Sequence, residues 1–308
     1  MNDVTDFRLE APMSKKRGRV RRGGWSWGAT EGARLRVISL GAGVQSSCLV
    51  QMALDREIGP LPDAIIMADT GDESAQTLRH AEYLEQQVAL RSNGAVQFIR
   101  VSRGERLSDS IRARAAGDIT RRFVSAPFYT EGTQRRPRGG QGRRQCTREF
   151  KIEPIERMQR QLLGYAPKQR IPRGSCEVWI GISTDEVVRA GAAFAPWVVN
   201  RYPLLELRMS RSDCAIWLRS RGYPVPPKSA CVFCPYRSDA EWRWLRENDP
   251  EGWGQAVEID QLIRNTPGMR VKEYLHRNRR PLAEIDFSTA EENGQSSFID
   301  HCDGGCGL

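Results

Sequence analysis

Residues 36–47, RVISLGAGVQSS, decide how the chain is read. The run RVISL (36–40) is short, apolar and closed by Gly41-Ala42-Gly43, the pattern of a buried strand that ends in a tight turn. The segment after it, SSCLVQMALD (46–55), brings Leu49, Met52 and Ala53 to helical spacing. A glycine-rich turn between strand and helix lets backbone approach phosphate oxygens closely, and helix-terminal N–H groups and hydroxyls can donate to them. Ser39, Gly41, Gly43, Gln45, Ser46 and Ser47 are therefore the candidate phosphate-binding residues. No Gly-Lys-Ser/Thr follows, so this is not a Walker A loop, nor is it the dinucleotide G-x-G-x-x-G. In isolation the same turn would also serve as an ordinary strand–helix connection.

Working outward, AIIMA (64–68), VQFIRV (96–101) and VWIGI (178–182) read as further buried strands, with helices expected over 78–90 and 107–116. Strands alternating with helices imply right-handed crossovers and a parallel sheet covered on both faces, an α/β architecture of three layers. The sequence divides into a flexible basic extension over 1–33, an α/β domain over 34–205 and a helical, Cys-bearing region over 206–308 that ends in a mobile C-x-x-x-C tail. Trp25 and Trp27 are placed to dock the extension on the domain. No internal repeat is present.

The 308 residues hold 47 basic and 38 acidic groups, a formal net charge of +9. The excess is concentrated in two short runs. KKRGRVRR (15–22) and QRRPRGGQGRRQCTR (134–148) hold six basic groups each and no acid, and the rest of the chain is slightly acidic. Both runs are rich in Gly or Pro and read as loops or arms. Phosphate contact is the functional reading, to nucleic acid or to a polyphosphorylated nucleotide; solvated surface is the bland one. The second run abuts Cys146, which makes Arg143, Arg144, Arg148 and Lys151 candidates for holding an anionic substrate. No uninterrupted apolar stretch approaches the ~18 residues of a membrane span. The first residues, MNDVTDFRLEAP, do not resemble a secretory signal, so a cytoplasmic location and no membrane partner are expected.

In a reducing compartment eight cysteines point to metal or redox chemistry rather than disulfides. Cys231-Val-Phe-Cys234-Pro can be half a zinc site, a redox pair or part of an iron–sulfur site. The three histidines, His80, His276 and His301, offer no His pair to complete a zinc ribbon. Gathering separate thiolates around an iron–sulfur cluster takes Cys146 as third ligand and Cys214 as fourth, with zinc the runner-up for the same set. Cys48 and Cys176 read as core thiols. Cys302 and Cys306, flanked by Gly in the tail, suit a thiolate that enters a site, attacks sulfur and leaves.

The phosphate loop resembles the pyrophosphate loop of the adenine nucleotide α-hydrolase superfamily, S-G-G-x-D-S in ATP pyrophosphatases, with Gly41 in place of the first Ser and Gln45 in place of the Asp. The Gln form is similar to that of phosphoadenosine phosphosulfate (PAPS) reductases. The same group is resembled by Asp69-Thr70-Gly71, by Cys146-Thr-Arg-Glu-Phe-Lys151-Ile-Glu-Pro154, by Gly181-Ile-Ser-Thr-Asp185-Glu186 with Arg189, and by Tyr202-Pro-Leu. These motifs fall in the expected order over residues 36–240. Cys306-Gly-Leu looks like a truncated form of the C-terminal E-C-G-L/I-H of PAPS reductases.

The resemblance implies a Rossmann-like (HUP-type) sheet that binds ATP or a related adenine nucleotide with Mg²⁺, Asp69 and Thr70 joining the nucleotide ligands. Asp185, Arg189, Cys302 and Cys306 become the catalytic candidates. It also implies a [4Fe–4S] cluster on the scattered Cys. The first function implied is adenylation and sulfur modification of a nucleic acid, tRNA or DNA, with a sulfur-donor or thiol-reductant protein as partner and a homodimer compatible with the family. The second is a thiol-dependent reductase of an adenylyl sulfate, and a third is a catalytically inactive nucleotide-binding module.

Overall fold

The computed structural model describes residues 20–288 apart from 119, 121–123 and 135. Along the chain run β1 (Gly24–Ser26), β2 (Leu35–Leu40), α1 (Val44–Leu54), β3 (Ala64–Asp69), α2 (Ala75–Ser92), β4 (Gln97–Ser102) and α3 (Leu107–Ala115). Then come β5 (Tyr129–Thr130), β6 (Gly140–Gln141), α4 (Gln145–Thr147), α5 (Glu153–Leu162), β7 (Cys176–Ile180), β8 (Val198–Arg201) and α6 (Pro203–Glu206). The last are α7 (Arg211–Ser220), α8 (Asp239–Asn248), α9 (Pro250–Arg264) and β9 (Glu273–Tyr274).

Six strands pair in the order β1-β8-β7-β2-β3-β4, every neighbouring pair parallel. The central strands are apolar on both faces, as a parallel sheet between helices requires. Ile38, Leu40, Ile65, Met67 and Trp179 share a cluster with the apolar residues of α1, α2 and α7. The alternate residues Val37, Ala64, Ile66, Ala68, Cys176 and Val178 share another with Ile155 of α5. The α/β fold is thus three-layered, as the alternation of strands and helices implies. Burying one such Ile or Leu fully contributes about 1.5–3 kcal/mol, so the two faces carry most of the domain's stability. α2 begins on the Ser74 hydroxyl, which accepts the Thr77 N–H, and ends where Asn93 takes a left-handed backbone.

Two boundaries shift from the sequence reading. Residues 24–26, inside the stretch assigned to the flexible extension, form β1 and pair with β8; the Trp25 ring lies 6.3 Å from that of Tyr202. α7, assigned to the C-terminal region, packs Cys214 and Leu218 into the same cluster as α1. The second lobe is assembled from separated segments. Leu107 and Ile111 of α3, Phe128, Phe150, Phe233, Trp242 and Leu245 of α8, and Ile259 of α9 form its core. Among the described residues no helix is long and apolar enough to cross a membrane.

Candidate functional site

β2 lies between β3 and β7, and the chain leaves it first toward β3 and returns later on its other side. Such a switch point opens a crevice beyond the carboxyl ends of the strands, where open α/β sheets bind ligands. The glycine-rich turn Gly41-Ala42-Gly43, the candidate phosphate loop, stands there. Ala42 holds a left-handed backbone (φ 58°), a conformation that disfavours any residue but glycine and that marks local strain in the loop. Gly43 is the N-cap of α1 with no side-chain hydrogen bond to the first turn, and that turn carries no acid. Among the described residues the cap of α1 thus offers its leading amides no side-chain acceptor, at the positive end of the helix dipole.

The sequence-derived loop residues divide. Gly41 is exposed and Gly43 and Gln45 half-buried, at the mouth. Gln45 Nε2 donates to Ser183 Oγ at 3.4 Å, Ser183 Oγ donates to Asp185 Oδ2 at 3.2 Å, and Asp185 Oδ2 also accepts the Arg211 N–H at 2.6 Å. Asp185 is therefore linked to the loop, though engaged in holding the start of α7. Ser46 Oγ donates to the Gly43 carbonyl. Ser47 points inward: it is fully buried and its hydroxyl shares a 2.9 Å hydrogen bond with His80 Nε2. It does not face the mouth, contrary to its expected role, because position 47 falls on the side of α1 that meets α2.

Burial lowers the His80 pKa from 6.5 to about 4. A depressed histidine favours its neutral form in the folded state, so the stability it contributes is present above pH 6.5 and lost as pH falls toward 4. At about 1.4 kcal/mol per pKa unit the loss is about 3 kcal/mol. Denaturant titrations at pH 7 and pH 4 should show this acid loss in the wild type and a smaller one in His80→Gln. An unchanged acid slope in the variant would show that His80 is not its source.

At the end of β3, Asp69 Oδ1 accepts the Gly71 N–H at 2.7 Å, and Gly71 completes the turn with a positive φ of 78°. Thr70 is turned toward sulfur: its Oγ1 lies 3.2 Å from Cys231 Sγ. The C-x-x-C segment is fastened to this turn by a bridge between Glu73 and Cys231 and by the Val232 N–H donating to the Asp72 carbonyl at 2.9 Å. Cys146, Cys231 and Cys234 line one pocket with Thr70, Arg144 and Lys151. Ser229, in the same lining, has its backbone N only 3.5 Å from where a Cβ on Gly43 would sit. Phosphate loop and thiol pocket are thus adjoining walls of one crevice.

Lys151 lies in a π-helical turn, Arg148–Ile152, between α4 and α5, the kind of helix irregularity that recurs at functional sites. Its Nζ is 2.8 Å from Glu73 Oε1. Burial works against the ammonium and is the largest single influence, but Glu73 together with Cys231 and Cys234 overcomes it and raises the Lys151 pKa. The other Glu73 oxygen, Oε2, is buried without a hydrogen-bond partner among the described residues. Burial, reinforced by Glu73, pushes the Cys231 thiol well up, and burial with Cys234 raises Cys146 against the opposing pull of Arg144. Arg144 stacks over Tyr236 at 5.3 Å, Arg148 pairs with Glu153 at 2.9 Å and Arg143 is exposed.

Cys214 is not in this pocket. α7 carries it fully buried onto α1, where its hydrogen bond with Cys48, followed by burial, pushes the Cys48 thiol up. The expected fourth ligand is therefore a core thiol, placed by the same helix face that buries Leu218. Among the described residues, no three His, Cys, Asp or Glu side chains are already gathered as a metal site. Cys302 and Cys306 lie outside the described residues. Arg189 pairs with Glu186 and lines a cavity on the α5 side of the sheet together with Arg21 and Glu156.

No protein-family model matches the chain, and no curated protein does. Among solved structures the chain is similar to the PAPS reductase of Candida auris in complex with phosphate, at 13% identity and a TM-score of 0.37, over 62% of this chain and 74% of that one.

Proposed function

We propose that the chain is a PAPS reductase-like, PP-loop enzyme that binds ATP or a related adenine nucleotide at Gly41–Ser46 and performs sulfur chemistry at the adjoining thiols. The observation that carries this reading is the close approach of Ser229 to Gly43, which sets the pocket of Cys146, Cys231 and Cys234 beside the glycine-rich turn. The favoured reaction is adenylation of a nucleic-acid oxygen with release of pyrophosphate, followed by displacement of AMP, with that oxygen, by sulfide-level sulfur from a donor. The helix-terminal amides of α1 would hold the phosphates, with Mg²⁺ offsetting leaving-group charge, and Arg144 would help retain the anionic substrate.

Three thiols do not close the four-ligand shell of a structural zinc site. They suit an iron–sulfur cluster held by Cys146, Cys231 and Cys234, with Lys151 and Arg144 offsetting thiolate charge. Such a cluster would supply an iron site for handling sulfur. Anaerobically purified protein should then contain stoichiometric iron and sulfide; zinc alone, or no metal, overturns the cluster.

Labelled ATP tests the reaction. Release of pyrophosphate that rises with added tRNA or DNA is expected. Thiol-dependent release of sulfite from phosphoadenylyl sulfate, without ATP consumption, would instead establish the reductase. Absence of any adenine-nucleotide binding would defeat both.

A further inference from the structure

The hairpin that carries the second basic run is held in one shape. β5 pairs antiparallel with β6 on one side and with β9 on the other. The β5–β6 register continues beyond the paired residues: the Gly142 N–H donates to the Phe128 carbonyl at 2.8 Å, and the Gln145 N–H to the Ser125 carbonyl at 2.9 Å. At the tip, Thr133 and Arg136 exchange two backbone hydrogen bonds of 3.0 Å. A Cβ on Gly132 would sit 2.2 Å from the Pro137 carbonyl oxygen, and one on Gly142 2.3 Å from that of Ala126, so the two legs approach too closely for side chains there. From Gly140 to Arg144 the arm runs about 13 Å, at ~3.3 Å per residue, and it delivers the chain to Cys146.

The arm's charge is unbalanced. Residues 129–146 hold five arginines and one acid, Glu131, whose carboxylate accepts the Tyr274 hydroxyl at 2.7 Å. Arg136, Arg138, Arg143 and Arg144 are exposed, and among the described residues none of the four pairs with a carboxylate. Spread from the tip to the base of the arm, they reach further than the phosphates of one nucleotide and suit successive phosphates of a strand. Arg144 ends the row over the Tyr236 ring, at 5.3 Å, and both side chains line the thiol pocket. Aromatic rings and guanidinium planes are the surfaces on which unpaired bases stack.

We infer that this arm binds a single strand of nucleic acid, with Arg136, Arg138 and Arg143 on its phosphates and an unpaired base against Arg144 and Tyr236 at the entrance to the thiols. A base inside a duplex reaches such a surface only after leaving its stack, so the unpaired strand is the ligand. RNA and DNA share the phosphates and ring faces that this requires. The inference rests on the nucleic-acid reading above and adds to it the surface that brings the substrate to the thiols.

Fluorescence anisotropy with labelled single-stranded RNA, single-stranded DNA and duplex DNA, over a series of salt concentrations, tests it. One of the single strands should bind about tenfold more tightly than the duplex, and the tighter of the two supports the arm and identifies the substrate. In the triple variant Arg136→Gln/Arg138→Gln/Arg143→Gln the salt slope should fall by about 2, since each phosphate contact on a single strand contributes ~0.7. Tyr236→Leu removes no charge and should weaken binding about tenfold with the slope unchanged. Arg56→Gln/Arg79→Gln/Arg219→Gln, an equal loss of exposed charge on α2, on α7 and after α1, should leave the slope as it is. Circular dichroism confirms the fold of each variant, and titration with ATP should give wild-type affinity for the arm variant. If the arm variant keeps the wild-type slope, if the control lowers it equally, or if duplex binds as tightly as either strand, the arm is overturned and the nucleic-acid reading stands. If the wild type binds no nucleic acid, that reading falls and the arm with it. If the slope falls as expected but no ATP binds, the arm stands and the nucleotide reading alone fails.

Discussion

Gly181→Val should weaken ATP binding at least 100-fold while leaving the protein folded. The chain leaves β7 at Ile180 and passes directly over the first turn of α1. A Cβ at 181 would sit 2.9 Å from both the N and the Cα of Ser46 and 3.1 Å from the Gln45 carbonyl carbon. All three atoms are backbone, so no rotamer change relieves the contact; either the segment after β7 or the phosphate loop must move. Binding groups hold their ligand only within about 0.5 Å of the productive geometry, and a 1 Å displacement can cost about 100-fold. Overpacking of this kind costs about 1–3 kcal/mol, which a domain with two buried sheet faces tolerates. Titration with ATP beside a circular dichroism spectrum checks both halves. Affinity within threefold of wild type would show that the loop does not depend on this approach.

Lys151→Met should destabilise the protein by about 3 kcal/mol. Glu73 is 1% exposed on its side chain, and Lys151 is the cation beside one of its oxygens. Removing one partner of a buried pair costs about 3–5 kcal/mol, because the remaining charge stays buried and uncompensated. The lower end applies here, since the lysine side chain is 32% exposed and water already screens part of the attraction. For a chain of this length the loss corresponds to about 6 °C in Tm. Adding Glu73→Gln to the variant removes the stranded charge and should restore most of the stability. A single variant as stable as wild type at pH 7 would show that the pair contributes nothing net.

The central strands were legible because β2, β3 and β7 are short, mainly apolar runs punctuated by turn residues. β1 and β8 were not. β1 is a three-residue GWS whose place is fixed by a partner 175 residues away (Gly24 against Val199). β8 breaks its apolar run with Asn200 and Arg201, whose polar groups find partners outside the strand, Gly191 and Tyr202 for one and Glu206 and the Gly59 carbonyl for the other. Cys146, Cys231 and Cys234 could be grouped from spacing and neighbours. Cys214 could not be excluded that way, since spacing does not reveal which partner a helix face meets. Glu73 went unassigned because nothing near it in the sequence announces the Lys151 it pairs with.

The strand made first in the sheet, β1, pairs with the one made last, β8, and the loop bearing Cys146 meets a C-x-x-C synthesised 85 residues later. The inner strands from β2 to β7 can associate before β8 and the C-x-x-C have been made; the β1 edge and the thiol pocket must wait for them. During synthesis Cys146 thus waits unpaired while β2 and α1 can already form, in an interval when unpaired edges and apolar surface make a chain prone to aggregate. The thiol pocket is accordingly completed only when the second lobe joins its early segments, at Phe128 and Phe150, to its late ones, at Phe233 and Trp242.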